Sequence, residues 1–270
     1  MIVFPHCKIN LGLHVVRKRE DGFHDIETLF YPIFWKDILE VTDGIKGEFD
    51  LEISGLNISG DLNSNLIYKA WQLIKADHSI PPILVHLHKI LPMGAGLGGG
   101  SSDAAFMLKL LNLKFNLGIS EEKLREYAAQ LGSDCPFFID SQPAIATGRG
   151  EVLTPIDIDL SNYQIVVVMP NNISVGTAEA YSWVKPKQPT SSISEIIRMP
   201  INEWKNHLIN DFEEPVINHH PKIGDIKNEL YKAGAHYASM SGSGAAVFGV
   251  FDKGLDLDFK FDNCVIWKGE

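Results

Sequence analysis

The fold turns on one stretch, Leu91-Pro-Met-Gly-Ala-Gly-Leu-Gly-Gly-Gly-Ser-Ser-Asp-Ala-Ala105. Five of the seven residues from Gly94 to Gly100 are glycine, so the backbone there can reach φ > 0 and approach a ligand closely. Upstream, residues 83–89 alternate apolar and polar, the pattern of a strand. Downstream, Ala104, Leu108, Leu111 and Phe115 recur on one face of a helix. Ser101 or Ser102 is the expected N-cap and Gly118 the expected C′ residue. A glycine-rich loop that leaves a strand and opens a helix puts unpaired N–H groups and the positive end of a helix dipole at one place. That is a cradle for a polyphosphate. A flexible linker would not need the flanking strand and helix.

Three familiar cradles can be compared with it. The G-x-x-x-x-G-K-[ST] string does not occur, which excludes the P-loop class. Gly94, Gly96 and Gly99 fit G-x-G-x-x-G, and Glu121 lies about where a dinucleotide site places its ribose-binding acid. That acid should end a second strand, whereas Glu121 falls in the first turn of a helix that follows another helix. The protein-kinase loop joins two strands, and this one does not.

Working outward, residues 8–16 alternate strictly. Ile9, Leu11, Leu13 and Val15 share one side, and Lys8, Asn10, Gly12 and His14 share the other, as in a half-buried strand with a polar face. A charged turn at 17–22 and a second strand over 25–34 complete a hairpin. Two short strands within 38–54 precede a helix carrying Leu66, Ala70, Leu73 and Ile74. Ser120 opens a further helix that Gly132 ends, before the turn Ser133-Asp-Cys-Pro136. Strands are expected at 144–147 and 163–169, and helices around 201–210 and 222–233. The stretch 185–194, rich in Pro, Ser and Lys, reads as an exposed loop or lid. A domain boundary is expected near Pro155, dividing the chain into 1–155 and 156–270.

The rest of the composition narrows the class. With 24 Lys+Arg against 34 Asp+Glu, the 270 residues carry a formal charge of −10, unlike a dedicated nucleic-acid binder. Charged residues make up 21% and hydrophobic residues 45%, as in an ordinary globular chain. Cys7, Cys135 and Cys264 are far apart and odd in number, so neither a disulfide framework nor a zinc site is indicated. The first apolar run is too short for a signal-peptide core and no run would span a membrane. A cytoplasmic protein is expected, with a small-molecule substrate and no nucleic-acid or membrane partner.

Pro92-Met-Gly-Ala-Gly-Leu-Gly-Gly-Gly-Ser-Ser-Asp-Ala104 resembles the phosphate-binding motif of the GHMP small-molecule kinases. The general pattern is P-x-x-x-G-L-x-S-S-A, and this chain carries Gly99 and Gly100 in addition. That extended form is similar to the branch that phosphorylates a cytidine-diphosphate-linked methylerythritol in non-mevalonate isoprenoid precursor synthesis. Lys8-Ile-Asn-Leu-Gly-Leu-His14 with Asp21-Gly-Phe-His24, Leu131-Gly-Ser-Asp-Cys-Pro-Phe137 and Ser239-Met-Ser-Gly-Ser-Gly-Ala245 resemble its other signatures, in order along the chain.

The resemblance implies an α+β, two-domain kinase. Its N-terminal domain would be ribosomal-S5-domain-2-like, its C-terminal domain a ferredoxin-like α/β sandwich, with the active site between them. It implies ATP and Mg²⁺ as cofactors, with no residue assigned to the metal, and a monomer or homodimer. ATP would be held by Pro92, Gly94, Gly96, Leu97, Gly98, Gly99, Gly100, Ser101 and Ser102, with Asn65 and Lys89 near the adenine. Asp134 would take the proton of the accepting hydroxyl, with Lys8 beside it; from the strand pattern alone Lys8 reads as a solvated lysine. Asn10 and Gly242 would face the substrate. Phe23 and His24 would hold cytosine, Phe standing where Tyr is usual, and aligning Ser174-Val-Gly-Thr177 brings Tyr181 in as a second ring. His14 is left as a surface or structural histidine. Another GHMP kinase, or a relative that binds nucleotide without catalysis, stays open at this point.

Overall fold

The computed structural model describes residues 1–44, 47–58, 60–258 and 261–269. The chain packs as two compact units. One comprises Met1–Cys7, Phe34–Met93 and Gly98–Gln142; the other comprises Lys8–Ile33, Gly94–Leu97 and Pro143–Glu270. No helix among the described residues is long and apolar enough to cross a membrane.

The first unit is built on a four-stranded sheet in the order Ile2–Val3, Ile38–Asp43, Ile83–Lys89, Phe49–Gly55. Its last pair is parallel, and parallel neighbours need a long crossover, which the helix Leu66–Asp77 supplies. Strand Ile83–Lys89 alternates as its sequence predicts, burying Ile83, Val85, Leu87 and also Lys89. The glycine-rich loop opens the helix Gly99–Lys114. The single predicted stripe understates its burial, since Met107 and Leu110 are covered as well as Ala104, Leu108 and Leu111. Its start also differs from expectation. Gly98 is the N-cap, at φ 69°, and Ser101 and Ser102 lie inside the first turn. A residue with no Cβ adopts this left-handed cap without strain and lets the helix begin early. At the other end Asn116 (φ 50°), not Gly118, takes the left-handed position just past the helix. Ser120 caps Glu121–Leu131 by accepting the Lys123 N–H, and Gly132 ends that helix, both as predicted.

The second unit holds two four-stranded sheets. One runs His6–Lys18, His24–Lys36, Ala144–Thr147, Val152–Pro155, and its first strand begins with residues of the first unit. The other runs Tyr237–Met240, Val247–Asp252, Tyr163–Pro170, Cys264–Lys268, antiparallel throughout. The predicted polar face of the first strand is not solvated: every residue from His6 to Val15 is buried, including Lys8, Asn10 and His14. The helical region expected over 201–210 is a 3₁₀ turn, Ile201–Glu203, and one helical turn, Trp204–His207. Pro221 opens the helix Pro221–Lys232. The helix Glu213–His219 and the strand Cys264–Lys268 were not legible in the periodicity. The segment expected as a loop or lid is tied down at two points. Lys187 N–H donates to the Val15 carbonyl, and buried Ile193 opens a short helix with its N–H on Glu27.

Candidate active site

The glycine-rich loop alternates in conformation. Gly94, Gly96 and Gly98 have φ of 62°, 74° and 69°. Its first half, Gly94–Leu97, belongs to the second unit, where the segment Ser239–Ala245 packs on it. Ser241 Oγ donates to the Gly96 carbonyl (2.8 Å), and Ala246 N–H donates to the Ala95 carbonyl (3.2 Å). A Cβ on Gly96 would stand 1.9 Å from the Ser241 carbonyl oxygen, so only glycine fits. Gly242 is less crowded, with Asn10 Oδ1 3.2 Å and Gly96 Cα 3.4 Å from where its Cβ would be, but its φ of 55° also favours glycine.

Behind this contact lies the row predicted on the first strand. Lys8 Nζ donates to Asn10 Oδ1 (2.6 Å), and Asn10 Nδ2 donates to Thr28 Oγ1 (2.9 Å), which in turn donates to the Gly12 carbonyl (2.6 Å). The Lys8 ammonium also stands over the Phe30 ring. Burial makes each of these partners necessary, because an unpaired buried donor is costly. His14 is a buried structural histidine, 3.8 Å from Asp211 Oδ2.

At the tip of the hairpin the predicted aromatic residues meet. His24 stacks on Tyr181 with centroids 4.6 Å apart and planes 15° from parallel, and Tyr181 presses edge-on to Phe212. Burial, then the charge of Lys18, lowers the His24 pKa, which keeps the ring neutral and able to accept as well as donate. Phe23 is exposed, and the Arg149 guanidinium lies 4.9 Å from its centroid, a partner the sequence reading missed. The Gly148 carbonyl accepts the Ile26 N–H, which ties the turn carrying Arg149 to this hairpin.

In the first unit the second half of the loop becomes a helix start. Asn65 caps the helix Leu66–Asp77, its Oδ1 accepting the Ile67 N–H. Asn65, Leu66, Met93, Gly100 and Asp103 line a cavity of about 300 Å³ with apolar walls from Leu51, Ile53 and Leu87. Lys89, expected at the adenine, has a fully buried side chain whose ammonium is shared between Asp37 and Asp103. Its pKa is nonetheless raised: burial opposes the charge, and the two carboxylates outweigh it. Burial and the nearby Asp37 raise the Asp103 carboxyl as well, to about 7, against the pull of Lys89. Asp134 is half-buried in the turn before Pro136, next to the buried Cys135.

Two family models match the chain: GHMP kinases N terminal domain over residues 65–142 and GHMP kinases C terminal over residues 196–259. A 4-diphosphocytidyl-2-C-methyl-D-erythritol kinase of Bacteroides fragilis is 51% identical over 269 residues, 98% of each chain. One of Parabacteroides distasonis is 47% identical over 272 residues, covering 100% of this chain and 99% of its own. The chain belongs to the 4-diphosphocytidyl-2-C-methyl-D-erythritol kinase family, within the GHMP kinases. The crystal structure of a 4-(cytidine 5'-diphospho)-2C-methyl-D-erythritol kinase aligns with a TM-score of 0.77 at 31% identity, over 93% of this chain and 90% of that one. The α+β fold expected from the sequence is therefore that of the GHMP kinases.

A GHMP kinase uses ATP, and the residues present fit it. The cavity has apolar walls suited to a base. The helix start offers N–H groups that have no partner within the helix. Among the described residues, the buried Ser102 hydroxyl and Asp103 Oδ1 have no hydrogen-bond partner within the protein, so a polar ligand would satisfy them.

Proposed function

We propose that the chain transfers the γ-phosphoryl group of ATP to the 2-hydroxyl of 4-diphosphocytidyl-2-C-methyl-D-erythritol. The products are the 2-phosphate and ADP, in non-mevalonate isoprenoid precursor synthesis. The observation that carries this reading is the stacked His24–Tyr181 pair, in the same compact unit as the buried Lys8–Asn10 row and the first half of the glycine loop. An aromatic platform next to exposed Phe23 suits a pyrimidine, and a kinase acting on a bare sugar has no use for one.

In this reading Pro92, Gly94, Gly96, Leu97, Gly98, Gly99, Gly100, Ser101 and Ser102 hold the nucleotide phosphates, and Asn65 borders the base. Phe23, His24 and Tyr181 hold cytosine, and Asn10 and Gly242 orient the substrate. Asp134 accepts the proton of the attacking hydroxyl, and the charge of Lys8 keeps that carboxylate ionised and helps polarise the hydroxyl. Mg²⁺ would enter with the nucleotide and neutralise charge on its phosphates, with no residue of the chain assigned to it. Phosphoryl transfer asks chiefly for positioning and charge stabilisation, the roles this reading gives to the loop N–H groups, Lys8 and Asp134. We place the enzyme in the cytoplasm, as a monomer or homodimer.

The test is ATP consumption with 4-diphosphocytidyl-2-C-methyl-D-erythritol as acceptor, with the product weighed. Asp134→Asn should lower kcat about 10²–10⁴-fold with the fold intact, the range of a positioned base. A kcat within twofold of the parent would remove Asp134 from the mechanism. Tyr181→Ala should raise KM for the cytidine substrate roughly 5- to 150-fold, the equivalent of about 1–3 kcal/mol of stacking, and leave KM for ATP unchanged.

A further inference from the structure

Asp37 lies between the strands His24–Lys36 and Ile38–Asp43, and no sequence signal singled it out. Its buried carboxylate makes three contacts. Oδ1 accepts the N–H groups of Ile90 (2.5 Å) and Leu91 (2.8 Å), the residues that lead into the glycine loop. Oδ2 accepts from Lys89 Nζ (2.5 Å). The same ammonium donates to Asp103 Oδ2 (2.6 Å), in the early part of the helix that leaves the loop. A carboxylate, an ammonium and a second carboxylate thus run unbroken from the loop's entry to its exit. All three side chains are buried, with exposures of 0%, 0% and 4% for Asp37, Lys89 and Asp103. The glycine pattern respects this arrangement, since a Cβ on Gly99 would lie 3.2 Å from Lys89 Nζ and 3.3 Å from Leu91 Cβ.

Stability alone does not account for it. Burying an ammonium with two carboxyl groups is expensive, and well-packed neutral residues of similar volume often serve a core equally well or better. Positioning does account for it. Loop residues 92–98 would otherwise leave the helix start free to shift against the strand end, and displacements of about 1 Å at a reacting centre cost large factors in rate. A directed, charge-assisted chain of hydrogen bonds fixes distance and angle in a way that apolar packing does not.

We propose that Asp37, Lys89 and Asp103 form a positioning triad that sets the helix start against the loop's entry, and so aligns the loop N–H groups on the nucleotide phosphates. The proposal rests on the nucleotide site described above and adds to it what holds that site in shape.

The decisive variant is the neutral near-isostere Asp37→Asn, Lys89→Met, Asp103→Asn, which keeps the volumes and leaves an amide oxygen for Ile90 and Leu91. It should unfold at or above the parent's temperature, bind ATP at least tenfold more weakly by calorimetry, and keep the parent's affinity for cytidine diphosphate. A purely structural triad would lower the melting temperature and leave ATP affinity untouched, and that outcome overturns the proposal. Asp37→Asn alone, away from the cavity lining, covers the case in which the triple variant does not fold. It retains an acceptor for the Ile90 and Leu91 N–H groups and should give a smaller loss of ATP affinity than Asp37→Ala; equal affinities in the two overturn the proposal. A parent that binds no ATP refutes the nucleotide site itself and the triad's role with it. A parent that binds ATP beside variants that bind it equally well refutes the triad alone.

Discussion

Cys135 shows how a single side chain is controlled by its surroundings. Burial, reinforced by the negative charge of Asp134, pushes its thiol up to about 12, and a hydrogen bond with Ser101 opposes this only in part. The folded protein therefore holds this proton when the unfolded chain, ionising near the ordinary value of 9.0, has lost it. Stability is unaffected below that value and falls as pH rises from there toward 12, by up to about 1.4 kcal/mol per pH unit. Denaturant unfolding at pH 8 and at pH 10.5 should show this slope in the parent and a shallower one in Cys135→Ala. Iodoacetamide at pH 7.5 should leave Cys135 unmodified in the native protein, as intact mass will show, because the thiolate is the reactive form. Lys8 teaches a related lesson. Its place on an alternating strand predicts a solvated lysine, yet a second layer of chain covers that face, and Asn10 and Phe30 take the place of water.

At the scale of elements, the glycine loop contains positions of two kinds. Gly96 combines a left-handed backbone with a carbonyl 1.9 Å from its absent Cβ, and backbone cannot rotate away as a side chain can. Gly96→Ala should therefore lower the melting temperature, the conformational strain alone being about 1–2 kcal/mol, and abolish ATP binding. Gly100 sits in the helix with only Leu66 Cδ1 nearby, at 4.0 Å. Gly100→Ala should keep or raise the melting temperature, alanine being the better helix former, and affect only nucleotide affinity. Differential scanning calorimetry with and without ATP separates the two. The run of glycines predicts a close approach; which glycine meets Ser241 depends on a segment about 145 residues away in the chain.

At the scale of the molecule, each compact unit is assembled from three separate stretches of chain. Neither can be cut out as one continuous segment, so the two should not melt as independent modules. Leu108→Ala in the first unit and Leu230→Ala in the second truncate wholly buried side chains, and each should cost about 2–5 kcal/mol. Both should shift one cooperative transition, followed by tryptophan fluorescence and far-UV circular dichroism together. Two separated transitions, each moved by only one variant, would show that the units melt independently.

Local chemistry carried the glycine cradle, the strand before it, the helix behind it and the cap at Ser120, because each depends on residues within a dozen positions of one another. Resemblance in four ordered motifs carried the family. Neither reached Asp37, whose partners lie about 53 residues on, or the placement of Lys89, because a lysine that ends an alternating strand looks solvated until its register buries it. The Arg149–Phe23 contact and the burial of Asn10 and His14 were hidden for the same reason. Periodicity reports which residues share a face, and only the folded chain shows what covers that face. A buried charge is then defined by partners that come from elsewhere in the sequence.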